Sequence, residues 1–205
     1  MFLDRDGVIN EERSDYVKRW EEFRFLPGAL EALALLTEAG FGLFVVTNQS
    51  AIGRGLVLAG DIRDIHRRMM AEIERAGGHI AQTYCCPHAP EDRCECRKPR
   101  PGLLVKAARE YGLELTRCYL IGDKPTDVIA GQAVGCQCVL VLSGLGSRPD
   151  DSNSMGARPD GVHVCQDINE AAAWVVQTES QSVSGVGSTE RDGRSAPCQP
   201  DGTSS

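Results

Sequence analysis

Long apolar runs are missing from this chain. None approaches the roughly 20 residues that a membrane-spanning helix needs, so an integral helical membrane protein is not expected. Basic residues are in the minority, with 22 Lys and Arg against 29 Asp and Glu and a formal net charge of −7. Such a balance repels a polyphosphate backbone, which argues against sequence-independent DNA or RNA binding. It leaves room for a small anion held by a few local cations. Missing too is a basic N-terminal segment followed by an apolar one, so no secretory signal is expected and the protein is read as cytoplasmic. In that reducing compartment nine cysteines are thiols or metal ligands rather than a disulfide framework. Internal repeats are absent.

What is present is enough for one α/β domain: 205 residues, 41% hydrophobic and 25% charged. Phe2-Leu3 reads as the end of a buried strand, short enough to raise the question of two or three missing leading residues. Asn10 to Phe25 is mixed and polar, a loop whose charges are mostly a solvated face. Pro27-Gly28 opens a helix with Leu30, Leu33 and Leu36 at helical spacing, and Gly40 ends it. Phe41 to Thr47 is an apolar run suited to a strand covered on both faces. Leu58 to Ala76 predicts a helix with Ile62, Ile65, Met69, Met70 and Ile73 on one side. His79 to Cys85 is a strand, Pro101 to Tyr111 a helix, Cys118 to Gly122 a strand and Thr126 to Val134 a helix. Cys138 to Leu142, an edge strand at Val162 to Val164 and a helix at Ile168 to Val176 complete the series.

This alternation predicts a doubly wound, Rossmann-like parallel sheet over residues 1–176. Residues 177–205 are rich in Ser, Gly and Thr and are expected to form a disordered low-complexity tail. Cys118, Cys136, Cys138, Cys165 and Cys198 are mostly small core residues or bystanders.

Ligands of such sheets bind beyond the carboxyl ends of the strands. Four segments end there with polar residues: Asp4-Arg5-Asp6-Gly7, Thr47-Asn48-Gln49-Ser50, Arg97-Lys98-Pro99 and Gly122-Asp123-Lys124-Pro125-Thr126-Asp127. An Asp at a strand end is more often a cap or turn residue, and Asp-x-Asp-Gly alone fits a calcium loop. The order and placement of all four make the combination specific. "FLDRDGVIN", "VVTNQS", "CRKPRPG" and "IGDKPTD" resemble the four motifs of the haloacid dehalogenase-like phosphohydrolases. "DRDGVIN", "TNQSAIGRG" and "CPH…CxCRKPxPG" narrow the resemblance to the D-glycero-D-manno-heptose-1,7-bisphosphate 7-phosphatases and the neighbouring histidinol-phosphate phosphatases. Val-Ile-Asn, where the latter tend to carry Thr-Leu-Ile, favours the heptose family.

The resemblance implies a Mg²⁺-dependent sugar-bisphosphate phosphatase without a large cap domain, acting in nucleotide-activated heptose biosynthesis; with no nucleic-acid or membrane partner expected from the composition, the protein is read as a monomer. A histidinol-phosphate phosphatase is the nearest alternative. An inactive zinc-containing phosphate-binding protein is the alternative of another class. In the implied scheme Asp4 attacks phosphorus to form an aspartyl-phosphate, and Mg²⁺ is held by Asp4, the Asp6 backbone carbonyl and Asp123. Asp6 is the general acid and then the base, Thr47 donates to a phosphoryl oxygen, and Lys98 balances charge. Asp127 orients Lys98 or a water. Substrate contacts fall to the Glu12–Tyr16 loop, Tyr16 included, and to Asn48, Gln49, Ser50, Arg54, Arg97 and Lys124. For Arg54 a solvated loop cation is an equal alternative.

Cys86, His88, Cys94 and Cys96 offer three thiolates and one imidazole, a closed set of the structural zinc type. Cys85 competes with Cys86 for the first position, and a loop with incidental cysteines is the plainer alternative. A zinc there would pin the loop that carries Arg97 and Lys98, which catalysis needs held tightly.

Overall fold

Short apolar runs bounded by Gly and polar residues give six strands, and each connection between them returns the chain in the same direction. The computed structural model describes residues 1–145 and 161–185. Its strands are β1 (Phe2–Leu3), β2 (Leu43–Asn48), β3 (Ile80–Cys86), β4 (Tyr119–Gly122), β5 (Gln137–Val141) and β6 (His163–Cys165). All pairings are parallel, and the order across the sheet is β3-β2-β1-β4-β5-β6. The chain therefore winds outward from β1 to β3, then restarts on the other side of β1 at β4. The crevice outside this reversal is where such sheets hold ligands.

The helices are α1 (Ala29–Glu38), α2 (Ser50–Gly53), α3 (Ala59–Arg75), α4 (Gly102–Tyr111), α5 (Pro125–Gln132) and α6 (Ile168–Gly185). Strand side chains alternate between faces with period two. Leu3, Val45, Ile121 and Val139 join the core under α1, α3 and α6. Phe2, Phe44, Val46, Leu120 and Leu140 join the core under α4 and α5. Burial on both faces is why these strands read as continuous apolar runs. Among the described residues no helix is long and apolar enough to cross a membrane.

Several boundaries shift by one or two residues, and three differences from the sequence reading matter here. Strand β3 runs through Cys86 rather than stopping at Cys85. The short helix α2 was not expected, and it starts within the Thr47–Ser50 motif. Helix α6 continues to Gly185, so the folded domain does not end at residue 176 as composition suggested. Serine and threonine are weak helix formers, but tertiary contacts override propensity here. Thr178 and Ser180 donate their hydroxyls to the carbonyls of Trp174 and Val176, each at 2.8 Å. Tyr119 donates to Glu179 at 2.6 Å, and Trp174 stacks on His163 with centroids 3.9 Å apart. Residues 186–205, with Cys198 and the remainder of the expected tail, lie outside the described residues.

Candidate active site

Asp4 leaves β1 at the reversal of strand order, where its N–H donates to the Ile121 carbonyl of β4 at 2.9 Å. Its carboxylate is buried, and Oδ1 accepts from the Arg5 N–H at 2.7 Å and sits 2.9 Å from Lys98 Nζ. Lys98 is buried too. Its ammonium has three donors and meets three acceptors: Asp4, Asp127 Oδ1 at 2.5 Å and the Val46 carbonyl at 2.8 Å. Asn48 fixes the backbone of that lysine from both sides, donating to Lys98 O and accepting from Lys98 N, each at 3.1 Å. Asp127 divides its carboxylate, since Oδ2 caps α5 by accepting the Lys124 N–H at 3.1 Å.

Asp123 follows β4 and is 1% exposed, yet neither of its carboxylate oxygens takes a hydrogen bond from a described residue. Gly7, at φ +83°, and Gly144 crowd it so closely that a methyl on either would overlap the carboxylate. One donor oxygen each from Asp4, Asp123 and Asp127 lie within 4.8 Å of one another. Burial, with the neighbouring acids adding to it, pushes Asp4 up to about 6 against the pull of Lys98, and Asp123 up to about 8 against Lys124. Burial works against the Lys98 charge, but Asp127 and Asp4 outweigh it and raise its pKa. Three buried carboxylates therefore face the buried Lys98 ammonium, with the partly exposed Lys124 3.8 Å from Asp123. The excess negative charge suits a cation, and the donors are the hard oxygens that Mg²⁺ prefers.

Asp6 faces the same cleft within a net of donors. Arg5 reaches it with Nη2 at 2.7 and 2.9 Å and Nε at 3.2 Å. Asn10 Nδ2 donates at 2.9 Å and Gln49 Nε2 at 2.7 Å. Burial alone would raise its pKa, but the Arg5 charge and these hydrogen bonds reverse the sign and hold it below the ordinary carboxylate range. Gln49 also donates to the Thr47 hydroxyl at 2.9 Å, tying Thr47 to Asp6.

Asp4, Asp6, Thr47 and Lys98 floor a cleft of about 510 Å³. Glu12, Arg13, Ser14 and Tyr16 form one wall, and Arg97 and Lys124 stand on the others. Glu12 braces the rim: Oε1 pairs with Lys124 Nζ at 2.5 Å and Oε2 accepts the Leu145 N–H at 3.0 Å. Arg97 donates to the His88 carbonyl at 3.2 Å.

Beside the cleft, Cys86, His88, Cys94 and Cys96 converge. Their sulfurs are 3.3–3.6 Å apart, and His88 Nδ1 lies 3.6 and 3.3 Å from the sulfurs of Cys86 and Cys96. Tetrahedral Zn–S bonds of about 2.3 Å place thiolates roughly 3.8 Å apart, so the set is close to a closed zinc site. Cys85 instead packs on the core beneath α3, which leaves Cys86 as the first donor.

The HAD-hydrolase-like family profile matches residues 95–171. A D-glycero-β-D-manno-heptose-1,7-bisphosphate 7-phosphatase of Pseudomonas aeruginosa is 38% identical over 178 residues, covering 86% of this chain and 97% of that one. This chain belongs to the heptose-bisphosphate phosphatase family. The crystal structure of a D,D-heptose 1,7-bisphosphate phosphatase from Bordetella bronchiseptica, complexed with magnesium and phosphate, superposes with a TM-score of 0.81 at 36% identity, covering 87% of this chain and 98% of that one. A second, from Burkholderia thailandensis, gives 0.65 at 31% identity, with 85% and 96% covered.

Against this family background the fold gathers Asp4, Asp6, Thr47, Lys98 and Asp123 as their motifs suggested. Ser50, Arg97, Lys124 and Tyr16 line the cleft, with Tyr16 at φ 67° and 3.5 Å from the Ser50 hydroxyl. Arg54 does not line it: it is 42% exposed and faces Glu91 at 3.5 Å. The amides of Asn48 and Gln49 are engaged by Lys98, Asp6 and Thr47, so both act first as braces. Sequence reasoning missed Arg5 and His66, which are both buried. The available signal was a histidine on the apolar face of α3, between Ile62 and Met69.

Proposed function

We propose that this protein is a cytoplasmic, monomeric, Mg²⁺-dependent phosphatase that removes the 7-phosphate of D-glycero-β-D-manno-heptose 1,7-bisphosphate, in nucleotide-activated heptose biosynthesis. The observation that carries the reading is the buried Asp4–Lys98–Asp127 array beside Asp123, whose carboxylate takes no hydrogen bond from a described residue, in a chain of this family. The relatives' names supply the substrate and its anomer. Both contacts on Asp4 fall on Oδ1, so Oδ2 is the oxygen for attack. It bonds to phosphorus as the ester oxygen leaves with a proton from Asp6. Water then attacks phosphorus, gives its proton to Asp6 and releases phosphate, restoring Asp4. The donors around Asp6 favour the carboxylate that this second half uses, and an arriving phosphate dianion raises its proton affinity for the first half.

Asp4, Asp123 and the Asp6 backbone carbonyl would hold Mg²⁺, whose charge offsets that of the phosphoryl group. Thr47 donates to a phosphoryl oxygen, and Lys98 offsets charge on Asp4. Arg97 and Lys124, with Tyr16 and Ser50, recognise the rest of the substrate. The Cys86, His88, Cys94 and Cys96 set holds a structural zinc.

Phosphate release from the heptose bisphosphate, histidinol phosphate and an aryl phosphate, measured side by side in Mg²⁺, tests the assignment. The heptose substrate should have the highest kcat/KM. A higher value for histidinol phosphate would overturn the substrate, and no release from any of them would leave only a phosphate binder.

A further inference from the structure

Arg5 is fully buried, and one edge of its guanidinium grips Asp6. The remaining nitrogen, Nη1, lies 3.2 Å from Nε2 of His66, which α3 delivers. An arginine side chain only donates, so His66 Nε2 must be the accepting lone pair and the ring proton must sit on Nδ1. His66 is 7% exposed, and without it Nη1 would be a buried charged donor lacking this acceptor. A guanidinium is planar. Fixing Nη1 fixes the plane of the fork, and the fork fixes the plane of the Asp6 carboxylate.

We propose that His66 is a positioning residue that acts through Arg5 to aim the Asp6 carboxylate at the leaving oxygen. This rests on Asp6 being the proton donor, so the test separates the two claims.

The full-length protein in Mg²⁺ is assayed as unmutated, His66→Leu, His66→Gln and Asp6→Asn. The substrates are the heptose bisphosphate, whose alkoxide needs a proton to leave, and p-nitrophenyl phosphate, whose phenolate does not. The parameter is kcat/KM, which reports the step that expels the leaving group. His66→Leu should lower it about ten- to hundredfold on the sugar, and only about threefold on the aryl ester. His66→Gln keeps an accepting oxygen and should recover most of the loss. Equal losses on both esters, or no recovery by Gln, would make His66 a core residue only. An Asp6→Asn variant without the same asymmetry would remove the proton-donor role itself.

If His66→Leu does not fold at the assay temperature, nitrogen NMR of ¹⁵N-histidine-labelled unmutated protein decides, assigned by comparison with His66→Gln. A neutral Nδ1–H tautomer is expected at the assay pH. The Nε2–H tautomer, or a ring protonated on both nitrogens, would overturn the proposal.

Discussion

Two clusters of potential metal ligands lie side by side, and they are assembled in opposite ways. The carboxylates of Asp4, Asp123 and Asp127 are all buried and come from two strand ends and a helix start, brought together by the sheet. Cys86, His88, Cys94 and Cys96 come from one short stretch of chain, and only Cys86 is fully buried. In the first cluster like charges crowd in a low dielectric, so the site works against folding apart from the Lys98 ion pairs and the cap that Asp127 places on α5. In the second, a loop with one 3₁₀ turn at Pro90–Asp92 is held by a few hydrogen bonds, among them Arg97 and Arg100 to loop carbonyls, and by the convergence of its own ligands. Chemistry and architecture are thus divided between hard and soft donors, and Lys98, two residues beyond Cys96, joins them.

Breaking the hard cluster should give the largest loss of activity and the smallest loss of stability. Asp4→Asn removes the nucleophile and one of three crowded charges. Turnover should fall by about 10³-fold or more, with a melting temperature equal to or above the unmutated value. Substantial phosphate release at saturating Mg²⁺ would take Asp4 out of that role. Breaking the soft cluster should do the reverse. Cys94→Ala should release zinc, measurable as metal content, and lower the melting temperature by about 5 °C or more. Because the loop carries Arg97 and Lys98, kcat should fall and KM rise together. If zinc loss spares both parameters, the two clusters are independent.

A change on the join sharpens the contrast. Arg97→Ala should raise KM for the bisphosphate about tenfold and leave an aryl phosphate nearly unchanged, since its fork suits the phosphate that does not react. Equal damage to both substrates would place Arg97 in the chemistry. The smallest effect belongs to a site remote from both clusters. Glu179→Gln weakens the bond to Tyr119 and should lower the melting temperature by roughly 2 °C with no change in kcat. No change in melting would mean that this turn of α6 adds nothing to the domain.

The parts legible in the sequence are those with local causes. Strand ends follow from apolar runs meeting Gly and Asp, so Asp4, Thr47 and Asp123 could be put at one crevice. The soft cluster was legible because its ligands are neighbours in the chain. What escaped depends on docking. His66 meets Arg5 only because α3 lies against the face that Arg5 enters, a pairing across 61 residues whose one local trace is a histidine on the apolar face of that helix. Arg54 follows a cleft motif, yet α2 carries it outward to Glu91. The length of α6 was hidden because the Ser- and Thr-rich composition beyond residue 176 offers little to bury, while Tyr119 supplies a partner from β4.

The register of β2 and β3 has one more consequence. Asn48 pairs with Cys86 at the end of that ladder, and the Gln49 N–H donates to the Cys86 carbonyl at 2.7 Å. Asn48 also clamps Lys98. The segment from Cys86 to Lys98 is therefore an arch whose two feet stand on the same residue. Its crown, from Pro90 to Arg93, can lengthen without moving either foot. Insertions and deletions among related chains should collect in that crown, and a peptide tag spliced there should be carried at the mouth of the cleft without disturbing the lysine beneath it.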